Sequence, residues 1–182
     1  MAEQEMEEEE IWTPKTKLGR AVANGQITTI EQALDHERPI MEPEIVDQLT
    51  DLSEEVMLIG GTPGKGGGKR RTVSKRTARM HKSGARYSSN AMTVLGNHNG
   101  VIGLGVGESD DTRAAIDDAN RNAKLNLIKV PRGNGSWEDQ GNNDTSLPLA
   151  VEGKSGSVTV EVKPAPRGTG LAASDEVKKI LK

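Results

Sequence analysis

The sequence has 182 residues, a formal net charge of −3 and no cysteine, which excludes disulfides, thiolate zinc sites and a cysteine nucleophile. Apolar residues make up 33% and the aromatic residues are Trp12, Tyr87 and Trp137, so we expect a small core and a dependence on a partner for full order. No apolar run approaches the roughly 18 residues of a membrane span, and a glutamate-rich N-terminus is opposite in sign to a signal peptide. We therefore expect a soluble intracellular protein without a membrane partner.

The N-terminal part predicts a tail followed by an extension with little core of its own. Six glutamates within residues 1–10 are typical of a solvated, disordered tail. In the extension, residues 11–59, we expect an extended stretch at Ile11–Gly19 and a short helix from Thr28, which has capping-box spacing to an acidic residue. A second helix should begin at Pro43. Helices this short are not stable alone, so the extension should lie on another part of the molecule.

The basic segment that follows carries the main indication of function. It has nine cations, and no Asp or Glu occurs between Val56 and Gly107. We expect a flexible Gly-rich hinge at Gly60–Gly68, a basic helix at Lys69–Met80, since Lys, Arg, Ala and Met favour helices, and a basic turn at His81–Arg86. A solvated loop normally mixes charges of both signs, so a nucleic acid is favoured over a merely solubilising loop. The cations are Lys65, Lys69, Arg70, Arg71, Lys75, Arg76, Arg79, Lys82 and Arg86.

An α+β unit is predicted next. Strands at Tyr87–Leu95 and Val101–Val106 are joined by Asn97–Gly100, whose Asn-Gly pair tolerates positive φ in a hairpin. A helix at Asp110–Leu127 follows, with two acidic residues at its positively charged end. Its inner stripe is made mostly of small side chains, so the helix should pack close to the sheet. The stripe contains Ala115, Ile116, Ala119 and Ala123.

The C-terminal part predicts two more strands and a helix. The strands are Leu147–Val151 and Ser157–Val162, turned by residues 152–156, and Ser174 caps the helix. Arg167 lies between prolines and glycines, which suits either a rigid contact or a plain turn. Trp137 is expected to be a packing residue rather than a base-stacking one, because aromatic residues are so scarce here.

The motifs of common enzyme sites do not occur. Gly68-Lys69 is followed by Arg70 rather than Ser or Thr, so a phosphate-binding Walker loop is excluded. The glycines of Gly103–Gly107 have the wrong spacing for a dinucleotide fingerprint and fall within a strand pattern. The three histidines do not cluster, and no catalytic triad or carboxylate pair can be singled out. We therefore predict a protein that is not an enzyme and has no cofactor or metal.

Several ordered motifs resemble one family. LGNHNGVIGLGVG at Leu95–Gly107, AKLNLI at Ala123–Ile128, RGNGSWE at Arg132–Glu138 and PAPRGTGL at Pro164–Leu171 occur in the order of the small-subunit ribosomal protein S-five family, in its archaeal and eukaryotic form. Trp12, Pro14 and Lys17–Gly19, with EPEIVD at Glu42–Asp47, resemble the archaeal N-terminal extension. The similarity covers nearly the whole chain beyond the acidic tail.

The resemblance implies the fold and its division. It implies an α+β protein with a double-stranded-RNA-binding-like N-terminal domain and a left-handed βαβ C-terminal domain, of which this chain contains an incomplete copy. We accordingly expect the tail at residues 1–10, the extension at 11–59, a Gly-rich basic arm at 60–76, the RNA-binding domain at 77–142 and the C-terminal domain at 143–182.

The resemblance also implies a role, that of a structural constituent of the small ribosomal subunit. Such a protein binds 16S-type rRNA near the mRNA entrance and the decoding region and supports translational accuracy. The implied partners are this rRNA, mRNA near the entrance and the neighbouring ribosomal proteins S-two, S-three and S-four. We expect a cytoplasmic, ribosome-bound chain that does not form a homo-oligomer.

The resemblance places particular residues near rRNA. Lys82, Gly84 and Arg86 fall on the family's basic loop near the decoding region, and Lys163, Arg167 and Gly168 fall on its segment near rRNA and protein S-four. The full set of predicted RNA-binding residues is Lys69, Arg70, Arg71, Lys75, Arg76, Arg79, Lys82, Gly84, Arg86, Arg132, Lys163, Arg167 and Gly168.

One departure from the family and two alternative functions accompany this prediction. Relatives often carry cysteines in and after the Gly-Ser-Trp segment, where this chain has Asn134, Asp139 and Gly141, so any role of those cysteines is absent. The chain could instead be a free-standing RNA-binding protein that acts without the ribosome. A small-molecule phosphotransferase is the less favoured alternative, because it would need a metal-binding carboxylate pair and a phosphate loop, and neither can be placed in the sequence.

Overall fold

The computed structural model describes residues 12–36, 38–63, 69–138 and 146–182. The chain forms two compact units, Met1–Asp51 and Leu52–Lys182. The predicted tail at residues 1–10 and residues 64–68 of the predicted Gly-rich hinge lie outside the described residues. No helix in the described part is both long enough and apolar enough to cross a membrane.

The first unit contains three short helices and an apolar core. The helices are α1 (Lys17–Ala23), α2 (Ile30–Leu34) and α3 (Glu44–Leu49). The predicted helix after Pro43 is confirmed, because Pro43 precedes α3 and both Ile45 and Val46 are fully buried. Its core also includes Leu18, Val22, Ile30, Ala33 and Ile40.

Two predictions for the first unit are wrong in detail. The expected extended stretch gives way to α1, because the Thr16 hydroxyl accepts a hydrogen bond from the Gly19 amide (3.0 Å) and caps that helix. The cap of α2 is Thr29 rather than Thr28: the Thr29 hydroxyl accepts a hydrogen bond from the Gln32 amide (3.4 Å). The Gln32 side chain in turn accepts one from the Thr28 amide (3.3 Å), so the capping box is shifted by one residue.

A buried carboxylate, Glu42, ties the segment before α1 to the segment before α3. Its oxygens accept hydrogen bonds from the Trp12 indole N–H (3.0 Å), the Lys15 amide (3.0 Å) and the Thr16 amide (2.6 Å). Burial works against the charged form, but these hydrogen bonds outweigh it and lower the pKa of Glu42 below its usual value. The ionised carboxylate therefore stabilises the first unit.

The second unit is built on an antiparallel sheet. Its described elements are β1 (Ser53–Val56), β2 (Gly60–Pro63), β3 (Lys69–Thr72), β4 (Lys75–His81), β5 (Gly84–Gly96), β6 (Val101–Ser109), α4 (Thr112–Leu125), β7 (Leu127–Lys129), β8 (Val151–Ser155), β9 (Val158–Val162) and α5 (Asp175–Leu181). The main sheet has the order β1-β5-β6-β7, and β4 also pairs with β5. The pairs β2–β3 and β8–β9 form separate two-stranded sheets. The main sheet thus includes β1, which belongs to the segment predicted as the N-terminal extension (residues 11–59). The predicted boundaries between the domains stay a prediction.

The predicted β5–β6 hairpin, the predicted helices after Asp110 and after Ser174, and the α+β class are confirmed. In the loop between β5 and β6, His98 has a φ of 52° and Gly100 a φ of 88°. Helix α4 begins after Asp111, whose carboxylate accepts a hydrogen bond from the Thr112 amide (2.8 Å). Helix α5 has Ser174 at its N-cap position, as predicted, but the Ser174 side chain makes no capping hydrogen bond.

Three other predictions are wrong. Residues 69–80 form β3, a turn and β4 instead of a helix, because they contain too few apolar residues for a helical stripe and their backbone pairs with β2 and β5. Gly60–Pro63 is a strand rather than a hinge. Residues 152–155 lie in β8 rather than in a turn, and the turn lies at residues 156–157, where Gly156 has a φ of 60°.

Close packing of α4 on β6 positions the sheet. A Cβ on Gly105 would collide with the Ala119 carbonyl oxygen, and one on Gly107 with the Ala115 carbonyl oxygen. Both alanines are fully buried. Since no side chain fits between these backbones, the predicted close approach of helix and sheet is confirmed.

We predict that Gly105→Ala lowers the free energy of unfolding by about 3 kcal/mol, because the methyl group would push the α4 backbone off the sheet. Gly153→Ala in β8 is the matched control, since its Cβ would have no neighbour within 4 Å; we expect a change of at most about 0.5 kcal/mol. Urea unfolding followed by circular dichroism measures both. Equal midpoints for the two variants would contradict the packing argument.

We predict that the first unit loses stability in acid through Glu42. Because the pKa of Glu42 is lowered on folding, its contribution is present above the usual value of 4.5 and is lost as the pH falls through the folded-state pKa. In a Trp137→Phe background, the emission of Trp12 should shift to the red over this range. Glu42→Gln should show the shifted emission already at neutral pH, whereas Glu44→Gln, at an exposed position, should behave like the parent. An acid transition that survives in Glu42→Gln would refute this role.

Candidate nucleic-acid interface

The hairpin of β4 and β5 projects beyond the rest of the main sheet. β5 pairs with β6 only from Ser89 onward, so residues 84–88 pair with β4 alone. The turn at residues 82–83 is followed by Gly84 with a φ of 117°, a conformation that L side chains rarely adopt. We call residues 75–88 the ribbon. Successive side chains of a strand point to opposite faces, so the two faces of the ribbon carry different chemistry.

One side of the ribbon, which we call the basic face, carries Lys75, Arg79 and Arg86. Arg79 lies directly opposite Arg86, and the hydroxyls of Thr77 and Ser88 are 3.1 Å apart in the next row of the same face. The three cations are exposed, and no described carboxylate lies within ion-pair distance of them. Like charges directly opposite each other destabilise a strand pair, so this arrangement favours an anion bound between them.

The other side, which we call the aromatic face, carries the single tyrosine of the chain. The guanidinium carbon of Arg76 lies 4.2 Å from the centroid of the Tyr87 ring, which is cation–π geometry. Met80, on the same face, is 78% exposed, and Tyr87 is 52% exposed. Sequence reasoning placed Tyr87 only at the start of a strand and grouped Arg76 with the other cations. Strand alternation is the signal that separates the two faces, but it applies only once the pairing of β4 with β5 is known.

The remaining cations in the described part of the arm lie on β3. Arg70 is exposed, and the side chain of Lys69 lies outside the described part. Arg71 acts on Glu176 of α5: a hydrogen bond from the Leu58 amide (3.0 Å) lowers the pKa of Glu176 below its usual value, and Lys179 and Arg71 add to this effect. Part of the charge of Arg71 is therefore directed at a carboxylate within the same unit.

The other predicted residues lie away from the ribbon. The Arg132 guanidinium donates a hydrogen bond to Asn99 Oδ1 (2.5 Å) in the loop at the opposite end of β5, roughly 40 Å of strand from Gly84. Lys163 is paired with a neighbouring carboxylate (3.2 Å), and Arg167 is exposed in a turn. The set of predicted residues is thus divided between several places.

The segment near the C-terminal strands adds two details. Gly168 has a φ of 90°, so the turn with Arg167 is a specific backbone conformation that favours glycine. Trp137 is 88% exposed, so the expectation that it packs in a core is wrong for the described residues. Nothing in the described chain packs against this ring closely enough to bury it.

The arrangement of exposed cations is suited to binding an anion. Within the described ranges no three His, Asp or Glu side chains are placed to hold a metal ion. The four cations that the structure brings together on the ribbon outside the aromatic face are Lys75, Arg79, Lys82 and Arg86. Fold and site together define an α+β protein whose projecting strand pair carries a cluster of exposed cations.

Comparison with known proteins identifies the family. Residues 69–131 match the family model "Ribosomal protein S5, N-terminal domain" and residues 153–182 match "Ribosomal protein S5, C-terminal domain". The chain is 46% identical over 175 residues to the small ribosomal subunit protein uS5 of Picrophilus torridus, covering 96% of this chain and 72% of the relative. It is 46% identical over 171 residues to the uS5 protein of Haloquadratum walsbyi (93% and 71% covered) and 44% identical over 171 residues to that of Methanocaldococcus jannaschii (93% and 72%). The chain therefore belongs to the ribosomal protein S5 family.

Family membership confirms several sequence predictions. The resemblance itself, the α+β class with its two characteristic domains and the non-enzymatic, structural role in the small ribosomal subunit are all supported by the matches.

The opposed arginines generate a prediction about stability. We expect Arg79→Glu and Arg86→Glu, each alone, to raise the free energy of unfolding by about 0.5 kcal/mol, because each turns a repulsive cross-strand pair into an attractive one. The double variant restores like charges and should return to the parent value, which makes it the matched control. Denaturant midpoints at low salt measure the effect. Additive gains in the double variant would show that the two side chains do not interact.

Proposed function

We propose that this chain binds small-subunit rRNA through the basic face of the ribbon and the turn residue Lys82. The observation that carries the proposal is the opposition of Arg79 and Arg86 with no described carboxylate at ion-pair distance. Glu108, on the same face, accepts a hydrogen bond from the Ser88 hydroxyl (2.5 Å) and forms no ion pair with the two arginines. The free protein is destabilised by this pair, and a phosphate bound between the two guanidinium groups would relieve the repulsion.

The proposed mode of binding is contact with the phosphate backbone. Basic side chains on a projecting strand pair can follow a backbone, and the shape of the RNA, rather than its base edges in a duplex, then sets the register. Gly84 contributes through its positive φ, which lets the turn carry Lys82 at the tip of the ribbon. Arg70, Arg132, Lys163, Arg167 and Gly168 are proposed as separate, weaker contacts, because they lie apart from the ribbon or are already engaged by other groups.

Membership of the S5 family supports a more specific location. We propose that the ribbon meets 16S-type rRNA near the decoding region and the mRNA entrance, with proteins S-two, S-three and S-four as neighbours, and that the chain supports translational accuracy. The proposed state is ribosome-bound in the cytoplasm and not a homo-oligomer. On the same basis we propose that the boundaries between the extension, the basic arm, the RNA-binding domain and the C-terminal domain lie at residues 59–60, 76–77 and 142–143.

Sedimentation of the tagged chain from a cell lysate, through a sucrose gradient at high salt, tests the assignment to the subunit. Co-migration with the small subunit is the expected result. Recovery at the top of the gradient together with RNA would favour a free-standing RNA-binding protein, and recovery there without RNA would refute the proposal.

We predict that Lys82→Ala and Arg86→Ala each reduce the dependence of RNA affinity on salt. If each side chain meets one phosphate, the slope of log affinity against log salt should fall by about 0.9 or somewhat less. Lys154→Ala, at an exposed position on β8, is the control with the same loss of charge and should leave the slope unchanged. Binding of small-subunit rRNA measured at several salt concentrations gives the slopes. Unaltered slopes in both ribbon variants would count against the assignment of these residues.

A further inference from the structure

We propose that the aromatic face of the ribbon binds one unpaired RNA base, which stacks on the Arg76–Tyr87 pair. This inference rests on the proposed RNA-binding function and adds a site of a different chemistry to it. The ligand is a nucleobase outside a duplex, and the contact is planar stacking rather than charge neutralisation.

The geometry of the pair provides a planar surface. The guanidinium carbon of Arg76 lies over the Tyr87 ring, 4.2 Å from its centroid, so a flat cationic group is already held against the ring. Directly opposite Tyr87 is Ala78, and two residues before it is Ala85, so no large neighbour blocks the pair from those sides. RNA-binding proteins use both aromatic rings and arginine planes as surfaces on which splayed bases stack.

Burial argues against a purely internal role for the ring. Tyr87 is 52% exposed, Arg76 is exposed, and the apolar side chain that shares their face, Met80, is 78% exposed. An exposed thioether and an exposed ring together expose apolar surface on a ribbon whose other groups are charged or small. Such a surface suits a ligand that combines a flat apolar ring with a polyanionic backbone, as a nucleobase in RNA does.

Strand alternation explains why Arg76 does not belong with the phosphate contacts. Lys75 and Arg79 lie on the basic face, while Arg76, between them in sequence, lies on the other face with Tyr87. A phosphate chain following the basic face would therefore leave Arg76 free to stack. A duplex keeps its bases inside, so only a single-stranded or bulged nucleotide can reach this surface.

The positive charge of the ribbon favours RNA over another protein as the partner. No Asp or Glu occurs between Val56 and Gly107, and the cations on both faces of the ribbon attract a polyanion. Stacking of a base on an aromatic surface typically changes affinity by about 5-fold or more, so the site is measurable against the electrostatic background.

The test compares two probes with the full chain and four variants. One probe is a single-stranded oligoadenylate of about 12 nucleotides, and the other is an abasic ribose-phosphate oligomer of equal length and charge. We expect the wild-type chain to bind the base-bearing probe about 5-fold more tightly or better at every salt concentration. Tyr87→Ala and Arg76→Lys should lose this ratio, since the first removes the ring and the second keeps the charge but removes the plane. Tyr87→Phe should retain it. Arg79→Ala should lower the salt slope for both probes and leave the ratio unchanged.

The possible outcomes separate this inference from the proposed function. Equal affinity of the wild-type chain for both probes would overturn the stacking site and leave phosphate binding intact. A ratio that survives in Tyr87→Ala would place stacking elsewhere and would also overturn the inference. Binding of neither probe would overturn the stacking site, and the same chain's failure to bind small-subunit rRNA would overturn the proposed function as well. Circular dichroism of Tyr87→Ala confirms that the loss does not come from unfolding.

Discussion

The close contact between α4 and β6 is the constraint on which the main sheet of the second unit depends. Glycine occupies every second position from Gly103 to Gly107, so one face of this part of β6 has no side chains and the helix backbone rests on it directly. A shift of β6 by one residue would put Leu104 or Val106 beneath the helix and force the two layers apart. The register of β6 is thereby fixed, and pairing passes it on to β5. The length of β5 that remains unpaired by β6 is a direct consequence of that register.

This anchoring fixes the ribbon before it meets the RNA that we propose as its ligand. The inner half of β5 is held by Ala91, Thr93 and Leu95, all buried, while its outer half pairs with β4 alone. Opposed arginines cost an ordinary hairpin roughly 0.2–1 kcal/mol, which burial of the inner half readily offsets. A side-chain arrangement that is already fixed loses less conformational entropy when it binds. The repulsion between Arg79 and Arg86 destabilises the free protein slightly, but the fixed arrangement lowers the entropic cost of binding an anion.

Local signals in the sequence were sufficient for the parts of the fold that depend on local structure. The cap at Asp111 and the alanine stripe predicted α4, and the Asn-Gly loop predicted the β5–β6 hairpin. The basic segment could not be predicted in the same way, because Lys, Arg, Ala and Met favour a helix and the partner strand that overrides this preference lies further along the chain. The start of β8 was displaced for a similar reason: Gly153 and Lys154 suggest a turn, yet they pair with β9. The excess of cations in the basic segment was enough to predict a nucleic-acid interface there. It did not show which of these cations share a face of the ribbon, because that depends on the pairing of β4 with β5.

The difference between helix and strand changes the chemistry assigned to single residues. In a helix, consecutive residues are about 100° apart, so Lys75, Arg76 and Arg79 would belong to one broad cationic surface. In a strand, consecutive residues are opposed, so Arg76 is separated from both neighbours and meets Tyr87 instead. The two proposed contacts, phosphates on one face and a base on the other, would place the ribbon in a gap between RNA segments. A projecting ribbon of two strands, which pair only with each other at the tip, is thin enough to occupy such a gap. A helix lying on the sheet would present only one face to the RNA.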